Sequence, residues 1–299
     1  MRMKKFRISL IFATILLIGI MFVPAVSATD STAKRCQNES IGDPWFEKGD
    51  ELNRLSGDER RALAEKNETV RKMIEEDLKI KPVKIENSKD LENLPANYPE
   101  DIKKIIVGNI SSKAVNLQSS IAQTTATNTV NVWIIADEEY RSTFGSDWQT
   151  KAYNTIEGAD DAFDNDHSIN FVVGKYSTWD STDSENSSSA LLAEAQNESG
   201  WNSNHQGMDM LAIFTDQSMD KRGRSEAMDH NGGDAWIMKH QITSGWDWHL
   251  AQHEASHNYN CPDHGYTGPV CIMTYANMMT TANWCVDCDQ TIETNRNHF

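Results

Sequence analysis

The sequence predicts the α+β class: a twisted mixed sheet with helices packed on it, preceded by a charged, helical pro-segment. Three observations carry this. Past residue 129, short β-branched apolar runs alternate with longer segments of helical pattern. Residues 29 to about 115 instead hold many charges and few aromatics. Between the two lies Ser119 to Thr129, a polar Ser/Thr linker that makes the best domain boundary and a plausible maturation site.

From the start of the chain, Arg2, Lys4, Lys5 and Arg7 precede a nearly all-apolar run, Leu10 to Val23, and Val26-Ser27-Ala28 suits a signal peptidase. Residues 1–28 therefore read as a signal peptide; the competing reading is an uncleaved anchor, since the run nearly spans a bilayer. No second apolar run is that long, so the expectation is a secreted or cell-surface protein without membrane contact after cleavage. Cleavage removes four basic residues and no acid, moving the formal net charge from −16 to −20. Such a surface repels nucleic acid and anionic lipid. Asn38, Asn67, Asn109, Asn186 and Asn197 each begin a glycosylation sequon.

Residues 29–125 are the expected pro-segment. Gly57 to Ile80 reads as one exposed helix, with Glu59, Arg60, Arg61, Glu65, Lys66 and Glu75 interleaved with Leu63, Val70 and Ile74. Pro82, Pro95 and Pro99 punctuate a loop-rich stretch after it. In residues 126–299, Val130 to Ala136 is a buried strand, Asp147 to Phe163 a helix and Ile169 to Tyr176 a second strand. Ser187 to Gln196, rich in Ala and Leu, is helical, and Met210 to Phe214 is a third strand. Asp234 to His240 looks like a short edge strand, and Trp246 to Asn258 is the helix that carries the chemistry.

That helix holds His253-Glu254-Ala255-Ser256-His257. HExxH on a helix puts two imidazoles on one face, a turn apart, where both can bind one zinc ion. Glu254 then stands where it can take a proton from a zinc-bound water. His249 lies one turn earlier, but that register lacks the glutamate, so it reads as a cleft or supporting residue. After His257 the helix should stop: Asn258 and Asn260 tolerate the left-handed conformation that ends helices, and Pro262 cannot continue one. A sharp turn would bring Asp263, or alternatively His264, back as third ligand.

The run from His253 to His264, followed by Cys271-Ile272-Met273-Thr274-Tyr275, resembles the metzincin pattern HExxHxxGxxH with its Met-turn. Asp263 falls on the third-ligand position, as in the snapalysin-like branch, and Asn260 replaces the turn glycine. The resemblance implies a zinc endopeptidase of proteins or peptides, with an active-site helix and a small C-terminal subdomain. It places Met273 beneath the zinc and Tyr275 at the metal or the oxyanion, as in astacin- and serralysin-like enzymes. It also implies a substrate strand added antiparallel to an edge strand, for which Asp234 to His240 has the right place in the order.

Cys261, Cys271, Cys285 and Cys288 crowd the C-terminus. In an oxidising compartment they read most simply as two disulfides bracing the active-site loops. The rival is a structural zinc site, since Cys285-x-x-Cys288 has zinc-knuckle spacing and the set is similar to that of archaemetzincins. Cys36 reads as an odd thiol or an intermolecular disulfide before a cysteine-switch inhibitor. Asp160, Asp161, Asp164 and Asp166, and separately Asp180, Asp183 and Glu185, are candidate calcium clusters, with a solvated acidic face the blander reading. The nine tryptophans read as core and cleft lining. The rival function is a catalytically silent extracellular binding protein on the same scaffold, against which the intact Glu254 argues.

Overall fold

A computed structural model describes residues 51–79, 127–226, 228, 234–242, 246–278 and 281–299. All of these lie in one unit, Asn38–Phe299. The signal-peptide run, Cys36, the proline-rich stretch and most of the Ser/Thr linker lie outside the described residues.

Three helices come first: α1 (Glu51–Arg54), α2 (Gly57–Ala64) and α3 (Glu68–Lys79). The single helix expected over 57–80 is thus two. Asn67 supplies the break, because its Oδ1 accepts from the backbone N–H groups of Thr69 and Val70 (3.0 and 3.3 Å) and caps α3. Ser56 and Glu59 form a reciprocal capping box at α2. Nor is the pair simply exposed, since Arg60, Val70 and Asp77 are buried.

The body follows as β1 (Asn128–Ala136), α4 (Glu138–Phe144), a 3-10 turn (Gly145–Asp147), α5 (Trp148–His167), β2 (Ile169–Thr178), α6 (Ser188–Ser199), β3 (Met210–Thr215), β4 (Gly223–Ser225), β5 (Asp234–Lys239), α7 (Trp246–Asn258) and α8 (Val286–Asn295). The sheet order is β2-β1-β3-β5-β4, all parallel except β4, which runs antiparallel to β5. Asp234–Lys239 is therefore an interior strand, not the edge. Every residue of β5 is buried, and the edge falls to the three-residue β4, too short to show a pattern in the sequence.

Strand alternation sorts the apolar residues into two layers. Val130, Val132, Ile134, Met210, Ala212, Phe214, Trp236 and Met238 face a core shared with α5 and α7. Trp133, Ile135, Leu211, Ile213, Ala235 and Ile237 face α6 on the other side. The helix α7 is buried all round from Leu250 to Tyr259, as expected of one wedged between the sheet, α5 and the C-terminal segment. Trp133, Trp201 and Trp236 are fully buried core residues. Among the described residues, no helix is long and apolar enough to cross a membrane.

Asp160 belongs to this frame, not to a solvated acidic face. It is buried in α5, and its Oδ1 accepts from the Phe171 N–H of β2 at 2.7 Å. Burial pushes its carboxyl up to about 7, the neighbouring acids adding to the effect against that hydrogen bond. A carboxyl raised in the folded state stabilises most below its unfolded value, and that stability is lost as pH rises toward 7. Asp160→Asn keeps the acceptor and removes the titration. Urea unfolding should find it close to wild type at pH 4 and more stable at pH 8, by up to about 1.4 kcal/mol per pH unit crossed between these limits. Equal stability at both pH values would refute this account.

Candidate metal centre

The helix α7 ends in a Schellman turn. Asn260 takes φ +69°, its N–H bonds the His257 carbonyl (2.8 Å), and the Cys261 N–H bonds that of Ser256 (3.1 Å). This reverses the chain and returns Asp263 to the helix face bearing the histidines. His253 and His257 bring their Nε2 atoms within 3.2 Å of each other. Asp263 Oδ1 lies 3.3 Å from the first and 3.5 Å from the second. Each ring gives its other nitrogen to a backbone carbonyl: His253 Nδ1 to Ile272 (2.9 Å) and His257 Nδ1 to Cys261 (2.7 Å). A carbonyl only accepts, so each Nδ1 keeps its proton and each Nε2 presents a lone pair to the common point. Burial and the neighbouring His253 lower His257 to about 4, so it stays neutral and fit to ligate. Burial works against the Asp263 carboxylate, and the Tyr275 hydroxyl bond favours it.

Tyr275 donates its hydroxyl to Asp263 Oδ2 at 2.8 Å. Met273 is buried in the core that includes Ala255 and Tyr259, and its carbonyl accepts from the His264 N–H (2.8 Å). Glu254 is fully buried, its carboxylate against Gly223 of β4. A Cβ at Gly223 would lie 2.2 Å from Glu254 Oε1, so only glycine fits there. Just beyond, the Asn258 side-chain amide donates to Ser225 Oγ and the Glu226 carbonyl, tying the end of α7 to β4. Neither Gly223 nor this tie was foreseen, because nothing in three residues announces a strand.

His264 turns away from the first group into a second. Its Nε2 is 3.2 Å from Cys285 Sγ and 3.1 Å from Cys288 Sγ. With Cys271 these four ligand atoms lie within 4.8 Å of one another. The disulfide expectation is corrected: Cys261, Cys271, Cys285 and Cys288 are all free, and three converge on one imidazole instead of pairing. Cys261 stays outside the group and donates its thiol to the Cys288 carbonyl. The backbone N–H groups of Cys285 and Met273 point at Cys271 Sγ (3.2 and 3.4 Å), a pattern suited to a thiolate. The Cys288 thiol and burial push Cys271 well above the usual thiol range, a bias that a cation would reverse. The sequence alone puts Cys261 in this set and His264 among the alternatives for the other; the zinc-knuckle spacing of Cys285 and Cys288 is its only signal there.

The third such group among the described residues is Glu138, Glu139 and Asp183. Asp183 is thus near two glutamates of α4, while Glu185 Oε1 instead accepts from the Asn186 and Ser187 N–H groups. His249 is buried one turn before His253, and burial lowers it to about 3.

A buried HExxH helix, a returning acidic residue and a parallel sheet with one antiparallel edge define a metallopeptidase. Residues 126–286 match the model of Reprolysin_5, metallo-peptidase family M12, and the chain belongs to that family. A zinc cofactor follows from the family. No curated protein matches the chain. Among solved structures, archaemetzincin from Methanopyrus kandleri is 10% identical, covering 58% of this chain and 99% of that one, with a TM-score of 0.43. Metalloproteinase-II from Bacteroides fragilis is 16% identical over 58% of this chain and 54% of that one, with a TM-score of 0.40. A chain in a chaperone–substrate complex is 11% identical, with a TM-score of 0.43; the match covers 57% of this chain but 38% of that one's length.

Gly223→Ala should displace the Glu254 carboxylate while leaving the histidines in place. Casein turnover is expected to fall about 100-fold, as for an ångström-scale misplacement of a reacting group. Zinc content, read by atomic absorption, should not change. Unaltered turnover would show that Glu254 does not depend on this contact.

Proposed function

We propose that this chain is an exported zinc endopeptidase whose catalytic zinc is held by His253, His257 and Asp263. The observation that carries the reading is the convergence of two neutral Nε2 atoms and one carboxylate oxygen, each positioned by a partner of its own. Nitrogen and carboxylate oxygen in this number suit a catalytic zinc site with an open position. Zinc bound there supplies Lewis acidity for the scissile carbonyl. Glu254 is the general base: it removes a proton from the attacking water and later delivers it to the leaving amine. Its burial against β4 keeps bulk water from competing for the carboxylate. Tyr275 orients Asp263 through its hydroxyl and would turn that proton to the carbonyl oxygen as charge develops there, and Met273 forms the floor of the site.

The substrate is an extended peptide that pairs with the outer side of β4, the last strand in the sheet among the described residues and the one that Glu254 touches. A second, structural zinc is held by His264, Cys271, Cys285 and Cys288, a donor set that fits a closed tetrahedral site. Residues 1–28 direct export, and residues 29–125 precede the peptidase domain proper, 126–299.

The test is metal stoichiometry and casein cleavage on the purified chain and two variants. The wild type should carry two zinc ions and cut casein. Glu254→Gln should keep both ions and lose at least about 100-fold in turnover. Cys288→Ser should retain one ion only. Full cleavage by Glu254→Gln removes the base assignment, and two zinc ions in a Cys288→Ser protein removes the second site.

A further inference from the structure

The helices α1 to α3 do not lie loosely ahead of the body; they are built into it. We propose that residues 51–79 are a permanently docked brace, a segment that stays bound to the peptidase body through a buried ion-pair interface after the linker is cut. This goes beyond the peptidase reading and does not depend on it.

The contacts are specific. Asn53 Oδ1 accepts from the Ile242 N–H at 2.7 Å, just past β5. The Gly57 N–H donates to the Asp216 carbonyl at 3.0 Å, at the end of β3. The approach there is so close that a Cβ on Gly57 would stand 2.5 Å from Asp216 Oδ2 and 2.6 Å from Thr143 Oγ1. Arg60, buried, forms an ion pair with Asp216, which also takes Lys239 Nζ at 2.9 Å and the Thr143 hydroxyl at 2.6 Å. On α3, Asp77 is 3.2 Å from His240 Nε2, while Asp247 at the start of α7 holds His240 Nδ1 at 2.7 Å. Arg61 adds bonds to Thr143 and Ser142 of α4, and Ser218 donates to the Arg54 carbonyl.

Arg60 and Asp77 therefore complete two charge clusters whose other members, Asp216, Lys239, His240 and Asp247, belong to the body and are buried. Stripping the segment away would uncover these charges and the face around them. Along α7 the interface meets the helix well before the histidines. From Asp247 to His253 and His257 is six and ten residues along α7, about 9 and 15 Å of rise. This placement suits a brace and not a plug.

The test is a nick. A site-specific protease sequence is inserted between Ile121 and Ala122 of the full chain, and the cut protein is run on size exclusion at pH 7. The two pieces should elute together, with zinc content and casein cleavage equal to those of the uncut chain. Gly57→Val, which drives a side chain into the Asp216 and Thr143 contacts, should send the N-terminal piece to its own elution volume after the cut. Separation of the wild-type pieces would overturn the proposal, as would cleavage that rises when the N-terminal piece departs. Retention by Gly57→Val would place the hold elsewhere and overturn the interface assigned. Elution is read without substrate, so a chain that cuts nothing counts against the peptidase reading alone.

Discussion

The left-handed turn at Asn260 is the constraint on which the rest of the centre depends. A helix that ran on past Asn258 would carry Asp263 away from His253 and His257. The turn instead spends two orphan carbonyls of the helix end on the returning chain and leaves the Cys261 carbonyl free to take the His257 proton. One backbone reversal thus brings the Asp263 carboxylate to the histidines and fixes the tautomer of His257. It also sets two consecutive residues to opposite tasks, Asp263 facing the histidines and His264 facing the cysteines.

The other half of the centre is held from the Met273 side. The Ile272 carbonyl takes the His253 proton, the Met273 carbonyl anchors His264, and Tyr275 reaches back to Asp263. The segment from 271 to 275 is therefore a strut between two ligand groups. Hydrogen bonds hold it together with the burial of Cys271, Ile272 and Met273 in the core.

What was legible in the sequence was what is local. The HExxH pair, the helix stop and the alternating strands β1, β2 and β3 follow from spacings within a few residues. Interior and edge were not legible for β5, because its mixed polarity conceals that Asp234 is paired with His298 and Lys239 with Asp216 inside the protein. The helix α8 went unnoticed because its pattern is polar and its apolar anchors are Cys288 and Ile292 alone. Cysteine spacing could not choose between pairing and convergence, since both need the same few ångströms; His264 decides it only in three dimensions. In α2 and α3 the charges read as solvent-facing, and Arg60 and Asp77 are buried because their partners come from more than 150 residues away.

Four ligands that meet at a point, where two crosslinks might have formed, change what the C-terminal region answers to. A disulfide is set by the redox poise of its surroundings, and a thiolate cluster by the supply of metal. The segment 264–288 would then hold its shape in a reducing medium and lose it to a chelator. Its assembly would need no oxidase, only a cation at the moment the chain closes. With the proposed ion bound, the region's endurance would be a matter of metal exchange, and the thiols would be protected from oxidation for as long as the ion stayed.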